Sequence, residues 1–177
     1  MRPLLSRLYD WAGYAAAICI VLIFAAMIGA SAVRQLGVAV AGVDDVVSWL
    51  TAAAASLGMA HSFRNGDFVR MTLVIDRLPS RPRRLVEIVA LAIALVGTAY
   101  AAFWIVRSVY DSWIYQEMTS GLLVMPLWIP QISFAIGTVL LFIALADEFV
   151  NVVRGGTPSY VVAVEERRAR GDYSQEI

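Results

Sequence analysis

Lysine is absent from this 177-residue chain, histidine and cysteine occur once each, and charged residues of every kind make up only 16% of it. Each shortage excludes something. An ordinary soluble domain carries roughly 25% charged residues and needs polar helix faces for its surface. With 60% of its residues drawn from AVILMFWYC, this chain cannot clothe a water-soluble fold of its size. Its fourteen arginines offset fourteen acids, so the zero net charge gives no general attraction to nucleic acid. Cys19 has no second cysteine to bridge to, and Cys19 with His61 cannot complete a metal site. The missing lysine carries no functional weight by itself.

What is present is a set of long uncharged runs. Trp11 to Val33 is 23 residues without a charge, and Met118 to Ala146 is 29. As a helix the first run would rise about 35 Å, enough to cross a hydrocarbon core of about 30 Å. It exceeds the roughly 7–15 residues of a signal-peptide core, so it reads as a retained signal-anchor despite the small residues Ala30-Ser31-Ala32. A second run, Val46 to Phe63, is small rather than greasy between Leu50 and Gly58. Such a helix inserts weakly alone and well against neighbours, because small residues let backbones approach. Ile88 to Val106 is bracketed by Glu87 and Arg107, and the fourth run lies within Leu122 to Val150, with Pro126 and Pro130 in its first turns. The fold expected is an all-α integral membrane protein with four transmembrane helices at about 11–33, 43–63, 86–107 and 125–150. Residues 1–155 form one membrane domain and 156–177 a polar cytoplasmic tail.

Arginine sets the orientation. The amino tail, the segment between spans two and three and the carboxyl tail carry two, six and four arginines, against Arg34 and Arg107 on the other side. That bias places both termini in the cytoplasm, and it holds only if the weak second run spans. The five tryptophans fall near span ends, where aromatic anchors sit. Between spans two and three, Phe68, Met71, Ile75 and Leu78 recur at helical spacing. A short interfacial helix is expected there, ended by Leu78-Pro79. Arg64, Arg70, Arg77, Arg81, Arg83, Arg84 and Glu87 are candidate contacts for lipid headgroups or a partner subunit, with topology alone as the plain alternative. Asp44, Asp45, Asp111 and Glu117 lie on the opposite side, and Asp111 to Met125 reads as a surface piece that could lie flat and meet something arriving from outside.

The spans hold almost nothing ionisable at mid-membrane depth, where carriers and pumps keep a charge or a broken helix. Asp147-Glu148, at a span end, is a candidate for an internal ion pair with an arginine. Bis-histidine haem ligation would need a second histidine, and the chain offers no assembled Ser-His-Asp set, glycine-rich phosphate loop or Cys-x-x-Cys. No catalytic, cofactor or metal residue is assigned. Small residues four apart do recur, at Ala25/Gly29, Ala26/Ala30, Ala52/Ser56, Ala54/Gly58, Ala90/Ala94 and Gly97/Ala101. They suit helix–helix contact and point to an accessory subunit.

The order of these features resembles the small membrane subunit, the DctQ-like component, of tripartite ATP-independent periplasmic (TRAP) transporters. The resemblance is carried by Arg64-Asn65-Gly66-Asp67-Phe68-Val69-Arg70, then Ile75-Asp76-Arg77-Leu78-Pro79, then Arg81, Arg83, Arg84 and Glu87. Pro126-Leu127-Trp128-Ile129-Pro130, with Phe134 and Gly137 following, adds to it across roughly residues 5 to 155. Asp67 stands where many members carry histidine. The resemblance implies a non-catalytic subunit of the bacterial inner membrane that packs beside the scaffold of a large, DctM-like membrane subunit. It also implies help in docking a DctP-like periplasmic substrate-binding protein for organic-acid uptake, with sodium coupling housed in the large subunit. Asp44, Asp45, Asp111 and Glu117 are then the candidate docking acids. Two other classes stay open: a membrane anchor of a respiratory or redox complex, and a small autonomous exporter or channel.

Overall fold

The computed structural model describes residues 2–38, 40–65 and 80–156. It contains four helices: α1 (Arg2–Gln35), α2 (Val43–Asn65), α3 (Ser80–Ile114) and α4 (Trp128–Val153). All four are long and apolar enough to cross a membrane. At 1.5 Å per residue α3 reaches about 52 Å, so its ends project well beyond a hydrocarbon layer of about 30 Å. The expected interfacial helix after span two and the tail from residue 157 lie outside the described residues, as do Arg70 and Arg77.

Two departures from the expected spans have local causes. Pro126 is not in the first turn of α4 but before it, in an antiparallel bridge with Met118. Pro130 does lie in the first turn, where the missing amide hydrogen would have had no intrahelical partner.

The helices pack in the lateral order α1–α2–α4–α3, each against its neighbour in that row. In lipid no hydrophobic force drives helices together, so the seams depend on close fit. Between α1 and α2 the fit is made by Ala12, Ala16 and Ala60, all buried, with Gly58 facing Ala16. At Gly13 a Cβ would come within 2.8 Å of the His61 ring, so the imidazole lies directly on the α1 backbone. Between α2 and α4 the same device recurs. Gly137 faces Ser56 so closely that any side chain would collide with the serine backbone and hydroxyl. The Ser56 hydroxyl, 3% exposed as a residue, donates to the Ala53 carbonyl at 3.1 Å and points across the seam to the Ser133 carbonyl at 3.5 Å.

Bulkier packing lies toward the end at which α1 begins and α4 finishes, here the terminal end. Tyr9, Ala12, Ala60, Leu140 and Ala144 form one cluster, and Leu91, Leu145 and Val152 a second. Phe63 and Leu141 touch both, tying all four helices together at this level. The weakly hydrophobic α2 thus occupies an inner position with neighbours on two sides. The greasier α1 and α3 flank the row and turn Val21, Phe24, Ile93 and Val96 outward.

The opposite, hairpin end is closed by the turn from α1 to α2 and by the segment from α3 to α4. The second of these folds back on itself rather than lying flat as an amphipathic piece. The Thr119 amide donates to the Met125 carbonyl and the Leu127 amide to the Glu117 carbonyl, each at 2.9 Å. The Thr119 hydroxyl donates to the Leu123 carbonyl and accepts from the Met125 amide, filling the inside of the turn.

Candidate functional site: the two polar ends of the row

The charged side chains and His61 sit toward the two ends of the helices. At the terminal end Arg84, in the first turns of α3, reaches across to α4. Its Nη2 donates to the carbonyls of Val152 and Val153 at 3.3 and 3.2 Å. Those are among the last carbonyls of α4, which have no intrahelical donor, and a cation there also complements the helix dipole. The chain itself turns at Gly155, whose φ of +86° disfavours a side chain, and the Gly155 and Gly156 amides close onto Val152 and Asn151. Of the arginine set expected to meet lipid or a partner, Arg84 is therefore engaged inside the chain. Arg64, Arg81 and Arg83 lie on described helices, but the placement of their side chains, with Arg70 and Arg77, falls outside the described residues. Glu87 is half-buried and Glu148 only 3% exposed, and each has a partner within the fold.

His61 belongs to this end. Its Nδ1 lies 3.1 Å from the Tyr9 carbonyl oxygen and 3.9 Å from an Asp10 carboxylate oxygen. A carbonyl only accepts, so Nδ1 carries the proton in that contact. The residue acts as a tether between α1 and α2. Among the described residues, no group of three or more His, Cys, Asp or Glu is placed to hold a metal ion.

At the hairpin end the four acids fare differently. Asp45, in the first turn of α2, accepts from the Leu123 amide at 3.1 Å, and Gly121 lies against its carboxylate. Leu123 in turn covers Gly42, whose φ of +82° and lack of a side chain permit the turn and the contact. Glu117 accepts from the fully buried Ser112 hydroxyl at 2.8 Å. Asp111 pairs with Arg107 one helical turn earlier, at 3.7 Å. Asp44 is exposed at the start of α2, where its charge favours the helix N-terminus. Asp45 and Glu117 thus shape the cap, Asp111 pairs along its own helix, and Asp44 faces outward.

Sequence reasoning marked Tyr115, Met118 and Leu122 as part of an outer piece that could meet something arriving from outside, but passed over Leu36 and Val124. Leu36, Leu122 and Val124 are more than 70% exposed at this end, with Tyr115 and Met118 near them in the chain. The available signal was the placement of Leu36-Gly37-Val38 and Leu122-Leu123-Val124 in connecting segments, where large apolar residues have no core to enter.

This arrangement defines a class: a multi-pass membrane protein whose polar groups tie its ends together and whose helices carry no reaction centre among the described residues. The family model for the DctQ component of tripartite ATP-independent periplasmic transporters matches residues 20–155. The chain belongs to that family, whose members are non-catalytic transport subunits of the inner membrane. No curated protein matches it.

Proposed function

We propose that the chain is oriented with both termini in the cytoplasm and serves as the lateral extension of a DctM-like large subunit, with its hairpin end helping to seat a DctP-like periplasmic binding protein. The observation that carries this reading is the pair of uncovered flanks in the row α1–α2–α4–α3. The outward faces of α1 and α3 include Ala25/Gly29 and Ala90/Ala94 with Gly97, small residues with room for another backbone. The arginine bias supports the orientation, which turns the hairpin end toward the periplasm. Residues 1–155 act as the membrane domain and 156–177 as a cytoplasmic tail. The arginines Arg64, Arg70, Arg77, Arg81 and Arg83 serve lipid or large-subunit contact, and a short interfacial helix between spans two and three, marked in the sequence by Phe68, Met71, Ile75 and Leu78, carries Arg70 and Arg77 at the membrane surface. Sodium coupling and the organic-acid site belong to the large subunit.

Asp44 with the Leu36, Leu122 and Val124 rim is the docking patch that best separates contact from folding, since Asp45 and Glu117 also hold the cap together and Asp111 is paired with Arg107. The test is uptake by reconstituted complex at limiting binding protein. Asp44→Lys should reduce uptake while the membrane complex stays intact on size-exclusion chromatography. Unchanged uptake at every binding-protein concentration would remove this patch from the docking face.

A further inference from the structure

Among the described residues, Arg107 and Arg34 are the two arginines on the hairpin side of the helices. It follows Arg84 by 23 residues, about 35 Å along α3, which puts it at the far edge of a hydrocarbon layer of about 30 Å. A guanidinium at that depth can reach the headgroup layer, where it meets phosphate. Two neighbours on its own helix hold it: the Trp104 ring, with the guanidinium carbon 5.6 Å from its centroid, and the Asp111 carboxylate, 3.7 Å from Nε. The fork has five N–H donors in all, and both partners are about half exposed.

Directly beneath this pair lies a groove of about 720 Å³ between α3 and α4. Its walls are Ala99, Ala102, Phe103 and Val106 of α3 with Val139 and Phe142 of α4, and Arg107 and Asp111 stand at its mouth. From Ala99 to Asp111 the helix rises about 18 Å, close to the half-thickness of a bilayer with its headgroup layer. Toward the terminal end α3 and α4 close on each other through Leu91, Leu145 and Val152. The groove is therefore one leaflet deep. A transmembrane helix of a partner would need a track across the whole bilayer, whereas a lipid acyl chain needs half of one.

We propose that this groove binds a single zwitterionic phospholipid with a primary-amine headgroup, its acyl chain between α3 and α4, its phosphate on Arg107 and its ammonium on Asp111. The charge pattern is what selects the headgroup. An arginine matches phosphate through a planar fork, and a carboxylate one turn on matches a cation and repels a second anion. An anionic lipid with an uncharged headgroup would satisfy Arg107 only and leave Asp111 facing phosphate.

The full chain is purified in mild detergent from native membranes and its retained lipids are quantified. A phosphatidylethanolamine carrying a photoreactive acyl chain is then cross-linked to it and the adducts mapped. The expected adducts fall within 99–106 and 139–142, with about tenfold less retained phosphatidylethanolamine in Arg107→Gln, the loss of one charge-assisted contact. Asp111→Asn is expected to keep a bound lipid but lose the preference for phosphatidylethanolamine over phosphatidylglycerol. Circular dichroism checks that each variant is helical, and the wild-type adduct map decides the matter should either fail to fold. Adducts spread equally over the outward face of α1 at Val21 and Phe24 would overturn the proposal. So would equal retention by folded Arg107→Gln, or a groove that in the intact complex cross-links to another membrane protein and not to lipid.

Discussion

At Gly137 the separation of two helices is set by one missing methyl group. The α4 backbone meets Ser56 of α2 there with no room for a Cβ, so Gly137→Val has to push the inner pair of the row apart. Overpacking of this kind costs about 1–3 kcal/mol, and the variant is expected to melt measurably earlier in detergent, followed by helical circular dichroism. Ser56→Ala, which removes a hydroxyl already bonded within its own helix, is expected to cost about 0.6 kcal/mol or less. An unchanged melting temperature for Gly137→Val would contradict the close seam. Arg84 gives a second residue-scale outcome. Arg84→Gln leaves the Val152 and Val153 carbonyls without their charged donor, an expected loss of about 0.3–1 kcal/mol, read as a lower denaturant midpoint with the helix content retained. Both roles were only half legible in the sequence. Gly137 stood out within span four and Arg84 within the arginine run, but each acts on a residue dozens of positions away, and local pattern does not encode which one.

Among the elements, the α3–α4 connection departs most from what its sequence suggests. Residues 117–127 carry no alternating strand pattern, and their apolar content reads as a surface-lying piece. The folded form depends instead on one hydroxyl and one carboxylate. Thr119 bonds to both Leu123 and Met125 from inside the turn, and Asp45 accepts the Leu123 amide from another helix. Thr119→Val is therefore expected to raise amide exchange at Met125 about tenfold, at roughly 1 kcal/mol for each hydrogen bond lost. Asp45→Ala is expected to do the same at Leu123 without altering exchange in the middle of α4. Protection unchanged at both amides would mean that the backbone pairing alone holds the turn. The helices themselves were legible because uncharged run length is a direct reading of bilayer thickness. The small-residue pairs were legible only as candidates: Ser56 and Gly58 enter seams, whereas Gly29 and Gly97 meet nothing among the described residues.

For the whole molecule, the number of spans follows from hydropathy, but the order α1–α2–α4–α3 does not. It arises from where a glycine on one helix meets a small side chain on another, as at Gly58–Ala16 and Gly137–Ser56. That order leaves two flanks for a larger partner, and the arginine bias gives them an orientation that labelling can check. In a Cys19→Ala background, a cysteine at Ser120 is expected to react with an impermeant maleimide in intact cells, and one at Ser174 only after permeabilisation. The reverse pattern would invert the protein in the membrane. The most direct measurement is a mild-detergent pull-down of the tagged full chain from its native membrane, with mass spectrometry of everything retained. Stoichiometric recovery of a much larger polytopic membrane protein is the expected result. Recovery of haem- or flavin-bearing subunits in its place, or of the chain repeatedly alone from membranes where it is abundant, would contradict its role as the small subunit of a transporter.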